Sequence, residues 1–154
     1  MATTMGKAIR ILIVEDNEDT RKLMRVALDD GERRIYEARN AAEGRKLAAE
    51  VRPDVLLLDI GLPGSEDGLT LCKTLLSDAQ HKDLYVVVVT GSDSSEHIER
   101  ARSIGASAYL IKPFSTIKLR TLVSDIDIWV KNTFVVPPAD VEVTKLTWDD
   151  LSKW

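Results

Sequence analysis

A chain of 154 residues with 21 Lys+Arg against 25 Asp+Glu, a formal net charge of −4, has room for one compact domain and a short extra segment, not for two full domains. A hydrophobic fraction of 44% supports an ordinary core without disulfides or metal, and the single cysteine, Cys72, rules out a disulfide framework or multi-cysteine zinc site. The acidic balance argues against general nucleic-acid affinity, no apolar run approaches the ~20 residues that span a bilayer, and residues 1–10 lack a signal-peptide core. A cytoplasmic protein with neither nucleic-acid nor membrane partners is expected.

Short apolar runs alternate with helical patterns along the chain. Ile9-Arg10-Ile11-Leu12-Ile13-Val14 reads as a first strand. In residues 17–30, Thr20, Leu23, Met24, Ala27 and Leu28 share one helical face, and Gly31 supplies a stop. A weak strand over residues 34–37 precedes a helix capped by Asn40 that turns Ala41, Gly44, Leu47, Ala48 and Val51 inward and stops before Pro53. Val55-Leu56-Leu57-Leu58 and Tyr85-Val86-Val87-Val88-Val89 are unbroken apolar runs, the mark of central strands covered on both faces. Between them lie a Gly/Pro-rich loop, residues 61–68, and a helix holding Leu69, Cys72, Leu75 and Leu76. Residues 92–104 predict a polar helix, and Ala108-Tyr109-Leu110-Ile111 a fifth strand. After Pro113-Phe114, Ser115 or Thr116 caps a last helix with Leu119, Leu122, Val123, Ile126 and Trp129 as its buried stripe.

Five β/α units over residues 7–132 predict an α/β fold with a doubly wound, five-stranded parallel sheet. Such sheets bind ligands beyond the carboxyl ends of their strands. Glu15 and Asp16 follow the first strand there, Asp59 the third, Thr90 the fourth and Lys112 the fifth. Three carboxylates at one edge repel one another unless a cation joins them, and oxygen-only donors suit Mg²⁺. Lys112 and Thr90 add a fixed positive charge and a hydroxyl donor, so the set suits phosphoryl transfer to an aspartate.

Val14-Glu15-Asp16, Leu58-Asp59-Ile60-Gly61-Leu62-Pro63-Gly64 with Asp67-Gly68, Thr90-Gly91 and Lys112-Pro113-Phe114 stand in this order, each at a strand end. With these motifs the chain resembles the receiver domain of two-component response regulators, in its stand-alone, chemotaxis-regulator-like form. The resemblance implies a flavodoxin-like (β/α)5 fold and a phosphorelay protein whose Asp59 accepts a phosphoryl group from a sensor histidine kinase or phosphotransfer protein. It implies Mg²⁺ held by Glu15, Asp16, Asp59 and the main-chain carbonyl of Gly61, with Lys112 pairing first with Asp59 and then with the phosphoryl oxygens. Thr90 and Tyr109 are implied as switch residues: Thr90 bonds the new phosphate and Tyr109 leaves the surface for the space that Thr90 vacates. The Lys112-Pro113 bond is expected to be cis. Output is expected through protein contacts with a downstream effector, or through a homodimer, on the face of the fourth helix, fifth strand and fifth helix.

Departures from the family pattern lie in the loop and just after Thr90. Ser65-Glu66 lengthens it by about one residue, and Gly61 and Ser92 leave the acceptor unobstructed, which predicts fairly rapid self-dephosphorylation. An alternative is a receiver-like interaction scaffold without phosphorylation-dependent signalling, opposed by the presence of Asp16, Asp59, Thr90 and Lys112 together. A phosphohydrolase with Asp59 as nucleophile lacks an acid/base aspartate two residues on, where Gly61 stands; FMN is disfavoured by the acidic strand ends. His81 and His97 are expected at the surface and Cys72 in the core. Residues 133–154 form a C-terminal tail or linker, with Pro137-Pro138, Trp148 and Trp154, expected to dock on its own or a neighbouring subunit and too short for a DNA-binding output domain.

Overall fold

The computed structural model describes residues 8–61, 67–91 and 93–131, in which five parallel strands alternate with five α-helices. They are β1 (Arg10–Val14), α1 (Glu18–Leu28), β2 (Arg34–Ala38), α2 (Ala41–Val51), β3 (Val55–Leu58), α3 (Gly68–Leu76), β4 (Tyr85–Thr90), α4 (Ser95–Ile104), β5 (Ala108–Ile111) and α5 (Thr116–Lys131). The sheet order is β2-β1-β3-β4-β5, so the winding reverses between β1 and β3. That reversal opens a crevice at the carboxyl edge.

Side chains alternate across each strand, and this period of two builds both cores. Ile11, Ile13, Val55, Leu57, Val87 and Val89 join Met24 and Leu28 of α1 and Leu119, Leu122, Val123 and Ile126 of α5. Leu12, Val14, Leu56, Leu58, Val86 and Val88 join Ala41 and Ala48 of α2, Leu69, Leu71, Cys72 and Leu75 of α3, and Ala101 of α4. Burial pushes the Cys72 thiol up to about 12, which makes it a small apolar filler instead of a nucleophile.

Helix starts are fixed by side-chain caps. Asn17 Oδ1 accepts from Thr20 N at 2.8 Å, Asn40 Oδ1 from Glu43 N at 2.9 Å and Asp67 Oδ1 from Thr70 N at 2.8 Å. Ser115, not Thr116, caps α5, its Oγ accepting from Lys118 N at 3.3 Å. At the opposite, amino-terminal edge, Arg33 lies between β2 and α5. Its side chain, 9% exposed, pairs with Asp127 at 3.2 Å and Asp30 at 3.4 Å and donates to Leu28 O and Ser124 Oγ.

Two expectations are overturned. Leu23, assigned to the buried face of α1, is 49% exposed, because the helix leans on the sheet through Met24, Ala27 and Leu28 alone. His81, assigned to the surface, is buried in the short 3₁₀ turn Ala79–His81, because that turn folds back before β4. Neither of its ring nitrogens has a hydrogen-bond partner. An unsatisfied buried polar group costs stability. His81→Leu is therefore expected to raise the free energy of unfolding by about 1 kcal/mol, read from urea denaturation. The tail expectation for residues 133–154 lies outside the described residues, as do Leu62-Pro63-Gly64, Ser65-Glu66 and Ser92. Among the described residues no helix is long and apolar enough to cross a membrane.

Candidate functional site

Parallel pairing sets Leu58 of β3 beside Val14 of β1 and Val88 of β4. The residues that follow these strands therefore converge on the crevice between β1 and β3. Glu15 and Asp16 leave β1, Asp59 leaves β3, Thr90 is the last residue of β4, and Lys112 comes one residue after β5. One carboxylate oxygen each of Glu15, Asp16 and Asp59 lies within 4.8 Å of the others.

The main chain holds these residues tightly. Glu15 N donates to Ala38 O and Asp59 N to Val14 O, both at 3.0 Å, which extends the ladders one residue past the strands. Arg21 Nη1 donates to the Glu15 carbonyl at 2.8 Å, while its Nε reaches Glu37 at 3.3 Å. Arg21 thus clamps the first acidic residue from α1. A lone arginine on a polar helix face carries no spacing signal, so sequence reasoning passes over it.

Lys112 binds the cluster together. Its ammonium stands 2.5 Å from Glu15 Oε1 and 3.1 Å from Asp59 Oδ2. The remaining oxygens take main-chain donors: Glu15 Oε2 accepts from Asn17 N at 3.1 Å and Asp59 Oδ1 from Gly61 N at 2.9 Å. Glu15 is 1% exposed and Asp59 8%, whereas Asp16 is exposed. Burial pushes the Glu15 carboxyl above the ordinary glutamate value, only partly offset by Lys112 and the Asn17 amide. Burial pulls the Lys112 ammonium down, but Glu15 and Asp59 outweigh it and hold it above the ordinary lysine range. The site is a fixed cation flanked by carboxylates, able to hold a metal on one side and a dianion on the other.

Thr90 is buried at the β4 end, 5% exposed. Tyr109 is fully buried, in the same cluster as Val86, Val88 and Ala101. This corrects the expectation that it starts at the surface: β5 lies under α4, and Tyr109, level with Val88 of β4, closes the core. The Lys112–Pro113 peptide bond is cis, as the resemblance implies. His97 is partly exposed.

Residues 11–124 match the model of the response regulator receiver domain. The chain belongs to this family. Among curated relatives, the receiver is similar to the polar-differentiation response regulator DivK of Brucella anthropi, 38% identical over 105 residues that make up 68% of this chain and 85% of DivK. It is also similar to the transcriptional regulatory protein KdpE of Staphylococcus aureus, 34% identical over 77% of this chain but only 49% of KdpE, so it spans about half of that relative. Among solved structures it resembles the receiver domain of AraT, a response regulator from Geobacillus stearothermophilus, with a TM-score of 0.74 and 26% identity over 84% of this chain and 100% of that one. The flavodoxin-like receiver fold and a phosphorylation-dependent switching role follow, and the family's chemistry is that of a phosphoacceptor, not of a conventional enzyme.

Proposed function

We propose that Asp59 is the phosphoacceptor of this receiver. A carboxylate oxygen of Asp59 attacks the phosphorus of a phosphohistidine on a sensor histidine kinase or phosphotransfer protein; the P–N bond breaks and the imidazole leaves. The single observation that carries the reading is the Lys112 ammonium shared between Glu15 and Asp59 at the strand edge. Lys112 can stay beside Asp59 while the carboxylate charge becomes a nearly doubly charged phosphoryl group.

The donor set fits Mg²⁺, since it consists of oxygens alone, three of them carboxylate atoms within 4.8 Å of one another. Glu15, Asp16, Asp59 and the Gly61 carbonyl would hold the ion. When bound, it supplies charge neutralisation at the phosphoryl oxygens. Thr90 donates its hydroxyl to the new phosphate, and this differential contact biases the face of α4, β5 and α5. Because Tyr109 is already inside, phosphorylation has only to hold it there. The changed face engages an effector protein or a second copy, without direct DNA contact, in the cytoplasm.

The experiment is incubation with Mg²⁺ and acetyl phosphate, or with beryllium fluoride, for wild type and Asp59→Asn. Wild type is expected to gain one acid-stable, base-labile phosphate and the variant none. A wild type that stays unlabelled and binds no beryllium fluoride would return the chain to a scaffold role.

Self-dephosphorylation is read from Gly61. A Cβ placed there would meet Asp59 Oδ1 at 3.6 Å, an ordinary contact, so a side chain fits and stands beside the acceptor. Gly61→Met is expected to lengthen the half-life of the phosphorylated form several-fold by crowding the attacking water. An unchanged half-life in a phosphate-release assay would count against an open site as the cause of rapid loss.

A further inference from the structure

Gly68 is the first residue of α3, and its amide lies 3.4 Å from the carbonyl of Ile60. A Cβ at this position would stand 2.3 Å from the carbonyl oxygen of Asp59, 2.6 Å from Ile60 Cα and 3.0 Å from the carbonyl carbon of Asp59. All three are main-chain atoms. At Gly44, by contrast, an added Cβ would meet only side-chain atoms, the nearest 2.9 Å away on Val14. Absence of a side chain at 68 is therefore what lets the start of α3 rest directly on the Asp59–Ile60 peptide.

The helix behind this contact is packed into the core. Leu69, Leu71, Cys72 and Leu75 anchor α3 in the core, and the Asp67 carboxylate seats its first turn by accepting from Thr70 N. That amide holds the Asp67 carboxyl below its usual range. The peptide under Gly68 carries the Asp59 side chain at one end and leads to Gly61 at the other, whose amide orients Asp59 Oδ1 at 2.9 Å.

We infer that Gly68 is a positioning residue for the acceptor: by bringing α3 onto the Asp59–Ile60 main chain, it sets the direction of the Asp59 carboxylate and of the Gly61 carbonyl. The inference rests on the reading of Asp59 as phosphoacceptor. A shift of about 1 Å in a reacting group costs on the order of 100-fold in rate.

The test uses the full 154-residue chain, with wild type, Gly68→Ala and Asp127→Ala compared for Mg²⁺ affinity by isothermal titration and for labelling rate with acetyl phosphate. Asp127→Ala removes an ion pair at the opposite edge and serves as the variant that loses stability without touching the site. Gly68→Ala is expected to label about 100-fold more slowly and to bind Mg²⁺ about tenfold more weakly, while Asp127→Ala keeps both wild-type values. Wild-type behaviour of Gly68→Ala, or equal losses in both variants, would overturn the inference. Should Gly68→Ala fail to fold, Asp67→Ala loosens the same helix start without adding atoms; it is expected to lower both values several-fold, and unchanged values overturn the inference. An unlabelled wild type overturns the reading of Asp59 instead, and Mg²⁺ affinity then still decides the role of Gly68.

Discussion

Lys112→Ala is expected to lower stability by about 3 kcal/mol in magnesium-free buffer, to slow labelling by acetyl phosphate at least ~100-fold, and to tighten Mg²⁺ binding about tenfold. The three effects have one cause. Glu15 and Asp59 are almost wholly withdrawn from water and share this ammonium, so its removal leaves two like charges facing each other in a low-dielectric crevice. Removal of one partner from such a pair costs more than the pair contributes, because the survivors stay desolvated. A divalent ion then enters a more negative site and relieves the repulsion, which gives tighter binding. The rate moves the other way, since the charge proposed to meet the phosphoryl oxygens is gone. The pH dependence has a definite sign. The Glu15 carboxyl already lies above its ordinary value of 4.5, from burial first. A raised folded-state value for an acid means that stability falls as pH rises through it. Without Lys112 that value climbs further, so the deficit of the variant should be small near pH 5 and grow toward pH 8. Urea titrations at both pH values with a chelator present check this; a deficit independent of pH, or weaker Mg²⁺ binding, would show that Lys112 does not act as the common cation.

How far the sequence discloses the site depends on the kind of interaction. Glu15, Asp16, Asp59, Thr90 and Lys112 are legible because strand ends mark one edge of a doubly wound sheet, and unbroken runs such as residues 55–58 and 85–89 locate the strands. The positions of Arg21 and Gly68 are visible, but their roles are not. The Arg21 clamp on Glu15 O and the contact of Gly68 with Asp59 O are meetings of a residue with distant main chain, and composition or periodicity carries no trace of them. Leu23 shows the opposite failure. Helical spacing places it on the inner stripe, yet α1 rests on the sheet along a narrower line, and a leucine at its border stays 49% exposed. His81 is misread because a polar residue in a polar segment ordinarily lies outside. The tight turn before β4 folds it under.

Asp127→Ala is expected to destabilise the fold by about 3 kcal/mol while leaving the carboxyl-edge chemistry intact. Arg33 reaches across from the residue before β2, and its side chain is 9% exposed; Asp127 on α5, 11% exposed at the side chain, is its close buried counter-charge at 3.2 Å. After removal of Asp127, Arg33 retains Asp30, but that carboxylate is 42% exposed and 3.4 Å away, and solvent screens it. The guanidinium keeps its donors to Leu28 O and Ser124 Oγ without a buried charge to balance it. Lys131, 3.1 Å from Asp127 Oδ1, loses its partner as well, at smaller cost because it is 30% exposed. Replacement of both charges should be gentler than either single change: Arg33→Met with Asp127→Leu is expected to cost less than Asp127→Ala alone, since no unpaired ion remains. Chemical denaturation of Arg33→Met, Asp127→Leu and the variant carrying both gives the coupling. Strictly additive losses would mean that the pair is not a unit. Because this link ties α5 to the amino-terminal edge, far from Asp59, it also fixes one end of the helix whose other end follows Lys112.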